Sequence, residues 1–168
     1  MALTMYQASA PSFLRQLGQL DVILDKAAAH AAARKIDPAV LLGTRLYPDM
    51  FSLTKQVQLT CDFAKNTMAR LAGQEPPKWP DEETTIEALK ARIAKTVDFV
   101  KSFSASQIDG SEDRDVTLPM GGKPTTFKGQ QFLFYFAIPN FYFHITTAYA
   151  ILRHGGVGIG KMDYLGQF

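Results

Sequence analysis

The stretch 132–152, FLFYFAIPNFYFHITTAYAIL, contains no Asp, Glu, Lys or Arg. It approaches the roughly 20 apolar residues that span a bilayer, so it is either a membrane helix or the central element of a soluble core. Pro139, Asn140, His144, Thr146 and Thr147 lie in its middle. The other periodic segments are amphipathic in the manner of a soluble bundle, which favours the core reading and no membrane partner. A chain of 168 residues has room for one such core, so residues 1–168 are expected to form a single domain.

Three further apolar stripes recur at spacings of three and four. Phe13, Leu17, Leu20, Leu24, Ala27 and Ala31 predict a helix over 11–35. Met50, Leu53, Val57, Cys61, Ala64, Met68 and Leu71 predict a second over 49–73, with Asp49 as its N-cap. Ile86, Leu89, Ile93, Val97 and Val100 predict a third over 82–106, whose acidic start suits the positive end of a helix dipole. The proline-rich segment 74–80 can neither be helix nor central strand. In polyproline form it reaches roughly 20 to 30 Å, so it reads as a crossover between parallel second and third helices. Val116-Thr117-Leu118 and Thr125-Thr126-Phe127 flank Gly121-Gly122 and predict a short β-hairpin. The last helix is expected over 130–154, bent by Pro139. The fold class is therefore all-α: a four-helix bundle with a hairpin before its last helix.

Eighteen Lys and Arg against sixteen Asp and Glu leave a net charge of +2, and the basic residues are scattered, which argues against a nucleic-acid partner. One cysteine, Cys61, cannot form an internal disulfide. The N-terminal residues show no basic region followed by an apolar run. A cytoplasmic location is the expectation.

Down the last helix, Asn140, His144 and Thr147 share one stripe. On the second helix Asp49, Ser52, Gln56 and Thr60 form a matching polar series. If these helices are antiparallel neighbours, Gln56 lies at the level of His144 and Asp49 near Arg153. Buried polar groups need partners, so the series form either a core network that fixes register or a ligand site at Gln56, Asn140, His144 and Thr147.

The stretches TRLYPDMFSLTKQVQ and IPNFYFHITTAYAILRHGGVGIGKMDYLG resemble a domain-of-unknown-function family within the DinB/YfiT-like superfamily of metal-dependent four-helix bundles. The resemblance covers essentially the whole chain and implies an up-down-down-up bundle. In metal-binding relatives, one histidine on helix two and a His-x-x-x-His pair on helix four hold a divalent cation. The resemblance places Gln56, Asn140 and His144 at those positions. Carboxamide oxygen is a weak ligand for zinc or nickel, so His144 is left as the one strong ligand and no metal or other cofactor is expected.

Other signals are weaker. Gly155-x-x-x-x-Gly160-Lys161 imitates a phosphate loop, but Met162 stands where Ser or Thr should hold magnesium. Cys61, inside an apolar stripe, reads as a packed thiol. His30 and His154 are poorly placed to join His144. Arg45, Asp49, Arg153, Lys161 and Asp163 are candidates for structural ion pairs at one end of the bundle. Aromatic residues on several faces of the last helix mark either a homodimer interface or a broad core. The leading functional expectation is a non-metal small-molecule binding protein with its pocket at Gln56, Asn140 and His144. The alternatives are a superfamily enzyme of the thiol-transferase or hydrolase type using His144, and a structural or stress-related homodimer without ligand.

Overall fold

The computed structural model describes residues 3–167. Helix α1 (Met5–Arg34) starts earlier than its apolar stripe alone suggests, because Thr4 and Gln7 cap each other reciprocally. Pro11 is carried within it, on the exposed side. The chain leaves α1 through Lys35, at φ 55°, and makes a short helix α2 (Pro38–Gly43) whose N-cap is Asp37. Helix α3 (Leu53–Leu71) begins after Ser52 rather than at Asp49. The preceding loop is tied across by Arg45 donating to the Met50 carbonyl, 2.5 Å, and by the Leu53 N–H donating to that of Thr44, 2.9 Å.

Helix α4 (Ile86–Lys101) is capped by Thr85, whose hydroxyl accepts from the Ala88 N–H. A four-residue helix α5 (Ala105–Ile108) follows, so the expected helix over 82–106 is shorter at both ends. Strands β1 (Asp115–Met120) and β2 (Lys123–Lys128) form the expected antiparallel hairpin, with Val116 opposite Phe127. One turn, α6 (Gly129–Gln131), leads through a π-helical turn over Phe132–Ala137 into α7 (Ile138–His154). Helix α8 (Lys161–Leu165) closes the described chain.

The π turn lies directly before Pro139. Proline has no N–H to donate and its ring crowds the carbonyl four residues back. The wider turn accommodates this, with the Ile138 N–H reaching the Leu133 carbonyl five residues earlier. The Asn140 side-chain amide donates to the Phe136 carbonyl at 2.7 Å, serving an acceptor that the disturbed ladder leaves weakly matched.

Side-chain contacts fix the helix directions. Gln56 meets His144 while Phe63, farther along α3, meets Phe136, nearer the start of the last helix, so α3 and α7 are antiparallel. Gln58 meets Glu83, and Asp62 meets Arg92, so α3 and α4 run parallel. Tyr6 bonds Asp109 while Lys90 reaches Asp21 and Asp25, which makes α1 and α4 antiparallel. Phe13 packs on Phe141 at 4.7 Å between ring centroids, and His30 lies against the turn at Gly156, which makes α1 and α7 parallel. The order is up-down-down-up. Phe13, Leu17, Leu20 and Leu24 of α1 fill the interior with Leu53, Val57, Cys61 and Met68 of α3. Leu89 and Ile93 of α4 join Phe141, Ile145 and Ile151 of α7 in the same core. Burying each such Leu, Ile or Phe contributes about 1.5–3 kcal/mol. Among the described residues, no helix is long and apolar enough to cross a membrane.

The crossover predicted from 74–80 is fastened to both parallel helices. Lys65 of α3 donates to the Pro77 carbonyl at 2.8 Å, and Arg92 of α4 to that of Pro80 at 2.9 Å. Trp79 sits between the ammonium groups of Lys65 and Lys95, at 4.5 and 4.3 Å from its ring.

Candidate functional site

The antiparallel register of α3 and α7 brings Gln56 and His144 together, Nδ1 to Oε1 at 2.8 Å. Gln56 is 1% exposed and His144 8%. Phe63 stacks on the imidazole at 5.5 Å, and Phe143 meets it edge-on at 5.3 Å. The Gln56 Nε2 donates to the Phe51 carbonyl at 3.3 Å, which turns Oε1 toward the histidine. Nδ1 must then carry the proton, leaving Nε2 as a bare acceptor with no hydrogen-bond partner among the described residues.

Burial, aided by the positive charge of Lys55, pushes the His144 pKa down to about 4. The ring is therefore neutral at pH 7. As pH falls below 6.5, the unfolded imidazole takes up a proton that the folded one refuses until about 4. The unfolded state then binds more protons, so stability falls between those values as the solution is acidified. Replacing His144→Gln should remove this component from a plot of denaturation midpoint against pH. NMR titration should place the His144 midpoint near 4; a midpoint near 6.5 would mean that the ring is solvated.

Asn140 and Thr147 occupy the same stripe but do not bond His144 or Gln56. Asn140 donates to Phe136, and the Thr147 hydroxyl donates to the Phe143 carbonyl at 2.7 Å. Thr60 likewise bonds the Gln56 carbonyl. Short polar side chains on helices can satisfy themselves on the preceding turn, which is why spacing alone overstates the network. The Asn140 side-chain oxygen, Oδ1, half-buried one turn before His144, accepts no hydrogen bond among the described residues.

A three-ligand metal centre does not fit these residues. His144 presents N–H, not a lone pair, toward Gln56, and the Gln56 oxygen is already its acceptor. Among the described residues, no group of three or more His, Cys, Asp or Glu could hold a metal ion.

The five charged residues expected to pair at one end do not pair with one another. Arg45 bonds a backbone carbonyl, and Asp163 bonds Lys26 at 2.6 Å as well as the Gly160 N–H at 2.8 Å. The later start of α3 leaves Asp49 exposed on the loop before it, out of any ion pair with Arg153 among the described residues. Lys161 is exposed at the start of α8 and makes no ion pair among the described residues. Cys61 is wholly buried, and burial pushes its thiol up to about 12, as expected of a packed group.

Sequence reasoning missed the charge network under the crossover. The side chain of Arg92 is 2% exposed and lies 3.0 Å from each of Asp62, Asp81 and Glu83. Asp81 also pairs with Lys55 at 2.5 Å and Asp62 with Lys65 at 3.0 Å. The signal was present: Arg92 sits between Leu89 and Ile93, within an apolar stripe.

Over residues 5–165 the chain matches the domain of unknown function DUF1993. No curated protein matches it. Its fold is similar to the crystal structure of a DinB family member protein from Shewanella denitrificans, with a TM-score of 0.88 and 43% identity over 97% of this chain and 92% of that one. The chain therefore belongs to the DUF1993 family and has a DinB-like helical bundle.

Proposed function

We propose that this protein is a metal-independent small-molecule binding protein, with the bare Nε2 of His144 as the acceptor its ligand meets. The observation that carries the reading is the tautomer: Gln56, held by the Phe51 carbonyl, fixes the proton on Nδ1. A ligand for this place brings an N–H or O–H donor to Nε2, with a second donor within reach of the Asn140 oxygen one turn away. The exposed ring of Phe143 offers apolar contact beside it. Cys61 supplies no nucleophile, being buried with its thiol held protonated.

A fragment library followed through the ring signals of Phe63, which stacks on His144, should yield donor-bearing compounds whose shifts saturate in the parent chain and are absent in His144→Ala. Titration with zinc or nickel on untagged protein should show no stoichiometric binding. Tight one-to-one metal binding lost in His144→Ala would overturn the reading.

A homodimer through the outer face of the last helix is supported by the exposure of Tyr135, 78%, and Phe143, 57%. Light scattering should then give twice the chain mass, falling to one in a Tyr135→Lys and Phe143→Lys double variant. A monomer at all concentrations removes this second reading.

A further inference from the structure

The loop between α2 and α3 ends at the group that orients Gln56. The Phe51 carbonyl accepts from the Gln56 Nε2 at 3.3 Å, and the amide so turned presents Oε1 to the His144 Nδ1–H at 2.8 Å. A carboxamide is nearly symmetric in shape, so its two ends can exchange without disturbing the packing. Here the exchange would set Oε1 against the Phe51 oxygen, two acceptors with no proton between them, while Nε2 donated to the ring. The Phe51 carbonyl therefore holds the proton on Nδ1, and its direction decides which polarity the outer nitrogen of His144 presents.

What fixes that carbonyl lies in the loop. Ser52, the N-cap of α3, makes no side-chain cap bond, so the helix entrance does not clamp the Phe51–Ser52 peptide in the usual way. Two backbone bonds close the loop, from the Met50 N–H to the Tyr47 carbonyl at 3.0 Å and from the Leu53 N–H to the Thr44 carbonyl at 2.9 Å. Neither engages the carbonyls of residues 50 and 51. Arg45 does: its Nη1 donates to the Met50 carbonyl at 2.5 Å. A hydrogen bond from an ionised donor is among the stronger ones. It pins the peptide on one side of Phe51, while Gln56 bonds the peptide on the other. Arg45 makes no ion pair among the described residues, so no carboxylate competes for its guanidinium.

We infer that Arg45 is a positioning residue which, through the Met50 and Phe51 carbonyls and Gln56, keeps the outer nitrogen of His144 a bare acceptor and so restricts the site to ligands that bring a donor. The inference rests on the proposed reading that a ligand meets Nε2, and adds the residue that sets that ligand's polarity. With the loop released, the Gln56 amide inverts, Nδ1 gives its proton to solvent and Nε2 takes one. The same place then suits an acceptor, such as a carbonyl oxygen.

Long-range proton–nitrogen NMR spectra of the full, isotope-labelled chain distinguish a protonated ring nitrogen from a bare one at pH 7, where the ring is neutral. His144 is told from His30 and His154 by the signals lost in His144→Gln. The parent chain should show Nδ1 protonated and Nε2 bare. Arg45→Ala, at an exposed position, should lower the ratio of the Nδ1–H to the Nε2–H tautomer at least fivefold. Arg45→Lys, which can still donate to the Met50 carbonyl, should stay within twofold of the parent. Gln56→Met cuts the relay, so adding Arg45→Ala to it should change the ratio less than twofold. A bare Nε2 in the parent with the same ratio in Arg45→Ala overturns the inference and leaves the reading of the site standing. A proton on Nε2 in the parent overturns both. A shift that Arg45→Lys shares, or that persists in full on the Gln56→Met background, is a general disturbance of the loop and overturns the relay.

Discussion

Arg92→Met should destabilise the protein by about 2–3 kcal/mol at neutral pH, measured by urea denaturation. Methionine retains much of the aliphatic packing, so the loss reports the guanidinium. Removing one partner of a wholly buried ion network costs about 3–5 kcal/mol, because the remaining charges lose their donors without regaining water. Here the carboxylates are not wholly dry: the side chains of Asp62, Asp81 and Glu83 keep 24%, 35% and 15% exposure. Lys65 and Lys55 also remain beside Asp62 and Asp81, which sets the effect below that range. Glu83 gives the pH signature. Burial pushes its carboxyl up, but hydrogen bonds from Gln58 and Arg92 outweigh this and hold it below the usual carboxylate range. That contribution is present above the unfolded carboxylate pKa and is lost as pH falls through the folded one. The difference between the parent chain and Arg92→Met should therefore shrink on acidification. A cost under about 0.5 kcal/mol, the level of an ordinary surface pair, would mean that the network is solvated and the crossover is held by Trp79 and backbone contacts alone.

Much of the bundle was legible because burial writes a period into the chain. The stripes around Phe13, Val57 and Leu89 became α1, α3 and α4, and the prolines of 74–80 became the crossover between parallel helices. Helix ends were less legible. Thr4, Ser52 and Thr85 take the N-cap positions where Pro11, Asp49 and Glu82 were expected to start helices. At Thr4 and Thr85 the cap is decided by a single side-chain hydrogen bond, worth about 1 kcal/mol, for which several residues compete, whereas Ser52 makes no such bond and takes its place from the loop that precedes it. The π turn depends on how the chain relieves one proline against its neighbours, which spacing does not encode. The Gln56–His144 contact followed from helix direction and register. The self-satisfied Asn140 and Thr147 did not, because a side chain facing a neighbouring helix can still bond its own. Arg92 was legible in principle: a guanidinium between Leu89 and Ile93 has to be buried with carboxylates, and the acids at 81–83, at the end of the crossover, were one supply.

Gly129→Ala should be at least as damaging as the loss of Arg92. A Cβ at that position would lie 1.9 Å from the Ser111 carbonyl oxygen and 3.0 Å from its carbon, both backbone atoms that no rotamer change can move. The Ser111 oxygen already accepts from the Arg114 N–H at 3.1 Å, and the Glu112 carbonyl accepts from Gln130 at 2.9 Å. To admit a methyl group, the start of the last helix must separate from the 111–114 turn and break one of these bonds. Overpacking of this kind costs about 3 kcal/mol when backbone has to shift, and each kcal/mol lowers the melting temperature of a chain of this size by about 2–4 °C. Gly18→Ala is the control. It lies inside α1 with nothing within 4 Å of an added Cβ, so it should stabilise the protein by about 0.5–1 kcal/mol through helix propensity alone. The displaced helix in Gly129→Ala is also the one that carries the π turn, Asn140 and His144. Its shift should loosen the Gln56 contact, let water reach the imidazole, and raise the His144 midpoint from about 4 toward 6.5. A Gly129→Ala chain that melts like the parent and titrates at the same pH would mean that the hairpin end of the helix is not what holds His144 in register.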